Sequence, residues 1–161
     1  QDQPVFIRYP RAEAKGMKEL PYAGFTPGKW EVLGKKGELC LIATGPMVAE
    51  ALIVKQTLSK QGISAQVINA ASVKPLDTGF IKDLNLTNTP YYVLEEQALA
   101  GGLGSAISEY CVQNSLKLPE HIFAVPDAFI THGARGDLLV ECGLDAHTIA
   151  EQILRMREAI A

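Results

Sequence analysis

The residues best placed to do chemistry lie in Leu94-Glu95-Glu96-Gln97-Ala98-Leu99-Ala100-Gly101-Gly102-Leu103-Gly104-Ser105. Two carboxylates close an apolar strand, and a glycine-rich turn opens a helix. Such a turn could cradle a phosphate on backbone amides at the helix N-terminus. A dinucleotide fingerprint requires G-x-G-x-x-G, and here Gly102 and Gly104 are followed by Ile107 at the third position. The acidic ribose ligand would fall near Ile122, with Glu120 only loosely in place. No Gly-Lys-Ser/Thr follows, so the Walker pattern fails as well. Glu95 and Glu96 would also repel a pyrophosphate. The expected role of the glycines is a close helix–strand crossing that leaves no room for side chains. Adjacent strand residues point to opposite faces, so Glu95 and Glu96 do not converge as an acid–base pair. Pairing with a helix N-terminus or an arginine is the expectation for each.

Other reactive side chains are scattered. His121 precedes a strand, His132 lies in Thr131-His132-Gly133, and His147 falls in the first turn of a helix; their spacing makes no metal site. His132, near Asp127 and Arg135, is expected to make a loop hydrogen bond. Ser105 lacks the G-x-S-x-G elbow and reads as a helix-start hydroxyl. Cys40, Cys111 and Cys142 are too far apart for a CxxC pair and are expected to be reduced, buried thiols. Arg8 and Arg11 flank Tyr9-Pro10, where a stiffened turn could hold a guanidinium for bidentate phosphate binding or leave it solvated.

The elements that must position these groups alternate along the chain. Leu39–Ala43, Ala65–Asn69, Tyr91–Leu94 and Ile122–Val125 are apolar strands of the kind buried on both faces of a parallel sheet. Between them, Met47, Ala51, Val54 and Leu58 make a helical stripe ended by Gly62. Asp77 in Ser72-Val73-Lys74-Pro75-Leu76-Asp77 caps a short helix through Leu84. Leu103, Ala106, Ile107 and Tyr110 share a helical face after the glycines. Asp137 to Cys142 reads as a short helix ended by Gly143, and Asp145 caps a last helix carrying Ile149, Ile153, Met156 and Ile160. This alternation predicts a three-layer α/β/α fold around an open, mostly parallel, mixed sheet of about five strands.

Residues 4–8 read as a further short strand, followed by about twenty aperiodic residues rich in charge, Gly and Pro. The expected organisation is residues 1–11 as the end of a preceding domain, 12–29 as a linker, and 30–161 as the compact domain. The first residue is Gln1, and the chain is expected to be a piece cut from something longer. At 161 residues and 47% hydrophobic it can bury a real core. A net charge of −3 offers no electrostatic reason for nucleic acid or an anionic membrane as partner. No apolar run approaches the roughly 20 residues of a membrane helix.

Five segments, in order, carry a resemblance: Ile7-Arg8-Tyr9-Pro10-Arg11, Ala43 to Ala51, Val73-Lys74-Pro75-Leu76-Asp77, Leu94-Glu95-Glu96 with Gly101 to Ser105, and Pro126 to Gly133. Together they resemble the C-terminal part of the 1-deoxy-D-xylulose-5-phosphate synthase family, a transketolase-like, thiamine diphosphate-dependent group. Lys-Pro-Leu-Asp and Glu-Glu…Gly-Gly are shared with transketolases and oxo-acid dehydrogenase beta subunits. Arg-Tyr-Pro-Arg and Pro-Asp-x-Phe-Ile…His-Gly favour the synthase. The resemblance implies a parent enzyme that condenses pyruvate with glyceraldehyde 3-phosphate, releasing carbon dioxide, with thiamine diphosphate and Mg²⁺ as cofactors.

By the same resemblance, residues 1–11 close the pyrimidine-binding domain and residues 30–161 form the transketolase-like C-terminal domain. No Gly-Asp-Gly diphosphate motif is present, so this piece is expected to bind no cofactor, to be inactive alone, and to serve structure and homodimer contacts beside the upstream domains of its polypeptide. Only Arg11 carries over as a substrate residue, reaching the phosphate of the aldehyde; Ala12 stands where the family has glycine. The implied compartment is the cytoplasm, or the plastid in a plant. The rivals are the C-terminal domain of a transketolase or dehydrogenase beta subunit, and a free-standing nucleotide-binding or assembly module.

Overall fold

The computed structural model describes residues 4–7 and 24–159. The elements run β1 (Glu31–Leu33), β2 (Leu39–Ala43), α1 (Met47–Lys60), β3 (Ala65–Asn69), α2 (Thr78–Leu86), β4 (Tyr91–Ala98), α3 (Leu103–Gln113), β5 (His121–Val125), α4 (Arg135–Glu141) and α5 (Ala146–Glu158).

All five residues of β2 are buried because it runs through the middle of the sheet with helices on both sides. The strand order is β1-β3-β2-β4-β5. β2, β3, β4 and β5 are parallel, and β1 is antiparallel to β3 at the edge. Alternation along each strand divides the core. Leu39, Leu41 and Ala43 face a layer built with Met47, Ala51, Val54 and Leu58 of α1 and Ile149 and Ile153 of α5. Cys40 and Ile42 face the other, with Ile81 and Leu84 of α2 and Leu103, Ile107 and Cys111 of α3. The fold is the expected α/β/α arrangement on a mixed five-stranded sheet.

The local signals act as their chemistry requires. Gly62 follows α1 at φ +77°, a left-handed stop. The Asp77 side chain accepts from the Phe80 amide at 3.1 Å and caps α2. Asp145 accepts from the His147 and Thr148 amides, each at 3.1 Å, and caps α5.

Four details differ from the sequence reading. Residues 4–7 form no strand; Val5, Phe6 and Ile7 are exposed, and no strand among the described residues pairs with them. β1 was not foreseen, because three residues before Gly34 become a strand only by pairing with β3. α4 begins at Arg135 rather than Asp137. β4 continues through both glutamates to Ala98, with a register shift against β5 between Leu94 and Ala98.

Candidate functional site

The chemistry-bearing segments gather where the parallel strands end. In open α/β sheets this edge, at the carboxyl ends of the strands, is where ligands bind. The loops after β3 (residues 70–77), β4 (99–102) and β5 (126–134) form its rim.

Glu95 is 1% exposed. Its Oε2 accepts from the Leu103 amide at 2.7 Å and its Oε1 from the Gly104 amide at 2.9 Å. The carboxylate occupies the N-terminus of α3 and satisfies the amides that a phosphate would need. Burial pushes its carboxyl pKa up from the usual 4.5, while the Gly104 and Leu103 amides pull it down. The glycines make room for this contact. A Cβ on Gly102 would collide with the Glu95 carboxylate, and one on Gly104 with Ile122 of β5. Gly101 turns the chain at φ +80°, and its amide donates to Ser105 Oγ at 2.9 Å. Ser105 Oγ in turn donates to the Gly102 carbonyl at 3.3 Å, the expected helix-start role.

Glu96 points the other way, as strand alternation requires. It accepts a bidentate pair from Arg135: Nε at 3.0 Å from Oε1 and 2.9 Å from Oε2, and Nη2 at 2.7 Å from Oε2. Sequence reasoning anticipated an arginine but placed Arg135 beside His132. The signal available was a basic residue at the start of a helix, with no indication of what it would meet. His132 is exposed in the loop.

The Lys-Pro-Leu-Asp segment fastens the chain's approach to the domain. Asp77 Oδ2 accepts from the Trp30 amide at 3.0 Å. Ser72 Oγ accepts from the Gly28 amide at 3.2 Å and donates to the Pro75 carbonyl at 2.5 Å. The Trp30 indole donates to the Ser72 carbonyl at 2.8 Å. Sequence reasoning missed this role of Ser72 and Trp30, which are more than forty residues apart. An open groove of about 450 Å³ separates this loop, through Val73, Lys74 and Leu76, from Ala106, Glu109 and Tyr110 of α3.

Arg11, the substrate residue implied by the resemblance, lies outside the described residues, as does Arg8. No group of three or more His, Cys, Asp or Glu among the described residues could hold a metal ion. Cys40, Cys111 and Cys142 are free thiols; the first two are buried. At the start of α3 the Leu103 and Gly104 amides, which could otherwise meet a phosphate, are bonded to Glu95.

The mixed α/β/α sheet, with β1 antiparallel at its edge, is of the class of transketolase C-terminal domains. The family described as "Transketolase, C-terminal domain" matches residues 28–149, and the chain belongs to it. Among curated relatives, it is similar to 1-deoxy-D-xylulose-5-phosphate synthase of Clostridium tetani (strain Massachusetts / E88), 34% identical over 156 residues spanning 97% of this chain and 25% of that protein. It is also similar to the same enzyme of Halothermothrix orenii (strain H 168 / OCM 544 / DSM 9562), 40% identical over 159 residues covering 96% of this chain and 25% of that one. The chain therefore spans about a quarter of the length of these relatives. Among solved structures, a split-gene transketolase described as an inactive beta4 tetramer superposes with a TM-score of 0.71 at 31% identity, over 82% of this chain and 42% of that one. A transketolase of Campylobacter jejuni, at 17% identity and a TM-score of 0.56 over 82% of this chain and 19% of that one, shares the fold.

Proposed function

We propose that this chain is the C-terminal structural and dimerisation domain of a thiamine diphosphate- and Mg²⁺-dependent synthase that condenses pyruvate and glyceraldehyde 3-phosphate to 1-deoxy-D-xylulose 5-phosphate. The supporting observation is similarity to such synthases along nearly the whole chain, 97% of it in one case. In this reading residues 1–11 end the preceding pyrimidine-binding domain and residues 12–29 link it to the domain beginning at residue 30. The cofactors belong to the upstream part, in the cytoplasm or a plastid, and this domain alone is inactive. Its residues act structurally: Glu95 seals the α3 terminus and Glu96 ties β4 to α4.

Arg11 is the one proposed substrate contact, with the aldehyde's phosphate. In the full-length protein Arg11→Ala is expected to raise KM for glyceraldehyde 3-phosphate and leave KM for pyruvate unchanged. Equal rises for both substrates would argue against a phosphate contact.

The split-gene transketolase neighbour supports a second reading, the corresponding domain of a transketolase. The stoichiometry of carbon dioxide separates the two. Full-length protein that releases carbon dioxide from pyruvate only when glyceraldehyde 3-phosphate is consumed supports the synthase. Two-carbon transfer from a ketose phosphate without carbon dioxide supports the transketolase.

A further inference from the structure

We propose that the rim at the carboxyl ends of β3, β4 and β5 is the surface on which the upstream part of the same polypeptide docks, with Phe129 and Leu99 as its anchors. This rests on the reading that the chain belongs to a longer synthase.

Each of the three rim loops displays an apolar side chain: Val73 at 39% exposure, Leu99 at 49% and Phe129 at 107%. Phe129 is an aromatic ring wholly in water, and the other two loops of this rim expose two more apolar side chains. Apolar exposure does not by itself choose this edge, since Leu86 and Leu118 are exposed at the opposite one. The path of the chain does. Gly28 and Trp30 are bonded to Ser72 and Asp77, at the two ends of the loop that carries Val73. Whatever precedes residue 28 is thus tethered at this rim. A tethered partner meets nearby surface at a high effective concentration, which favours contact within the chain over contact with a separate copy. Phe25, just outside the tether, is also exposed.

The rim is also held in place before any partner arrives. The loop bearing Phe129 runs from β5 to Arg135, and the bidentate Arg135–Glu96 pair fastens that end to β4. The loop bearing Leu99 runs into α3, whose start is fixed by Glu95. A fixed apolar display loses little freedom on docking.

The test is photo-crosslinking of the full-length protein with benzoylphenylalanine placed singly at positions 129, 99 and 86. Positions 129 and 99 are expected to crosslink within their own polypeptide, to residues that precede Gln1, several-fold more than position 86. A crosslink at 129 that doubles the mass, or one no stronger than that at 86, overturns the proposal. Should substitution at 129 unfold the protein, amide exchange of residues 126–134 decides. Slower exchange in the unsubstituted full-length protein than in the 161-residue chain supports docking, and equal exchange overturns it. The unsubstituted protein is assayed for condensation in parallel. Crosslinking without synthase activity sinks the functional reading alone, and activity without crosslinking sinks the docking surface alone.

Discussion

Glu95 stands where an anion would stand, at the start of α3, and its removal has a calculable cost. Glu95→Ala leaves the Leu103 and Gly104 amides buried without an acceptor. Each such group costs about 1–3 kcal/mol, and urea unfolding is expected to show a loss of at least that size. Glu95→Gln keeps a single oxygen acceptor and should lose less; an alanine variant as stable as the parent would refute this role. The pH dependence has a definite sign. Burial raises the carboxyl above 4.5, so the folded state holds this proton more tightly than the unfolded chain. This contribution is full below pH 4.5 and is lost as pH rises through the raised value. Glu95→Gln should remove that limb of the stability profile. The facing of Glu95 and Glu96 was legible from strand alternation alone. The partner of Glu96 was not, because Arg135 lies 39 residues away and only the folded sheet brings β4 beside α4.

At the scale of elements, the glycine turn is a crossing of a helix over a strand. Gly104→Ala would press a methyl into the stiff, branched side chain of Ile122. Overpacking of this kind costs about 1–3 kcal/mol. Adding Ile122→Val should recover part of the loss, and a double variant no better than the single would show that the strain lies elsewhere. The last helix depends on its cap. Asp145→Ala should destabilise by about 0.5–2 kcal/mol in denaturant unfolding. Burial pushes the Asp145 carboxyl up, but bonds from Thr148 and His147 outweigh it and hold it below 3.8. Its contribution is therefore present above pH 3.8 and lost as pH falls through the depressed value, a limb absent from the alanine variant. Both capped helices were legible because capping is local chemistry. β1 was not, since Glu31-Val32-Leu33 has too little pattern of its own and exists through β3. Val5-Phe6-Ile7 misled in the opposite sense: these strand-forming residues, paired with no strand among the described residues, stay exposed.

For the molecule as a whole, the order of segments pointed to the family, and the fold shows the Leu103 and Gly104 amides after its glycine turn bonded to Glu95. Gly102 and Gly104 leave room for Glu95 and Ile122, and Gly101 turns the chain at φ +80°. The tether of residues 28–30 to the Lys-Pro-Leu-Asp loop was invisible in sequence, because it joins segments that nothing local connects. The central claim is that this domain does no cofactor chemistry of its own. Calorimetric titration of the 161-residue chain with thiamine diphosphate in the presence of Mg²⁺ tests it most directly. The expected result is no binding heat beyond dilution, whereas saturable micromolar binding would contradict the account.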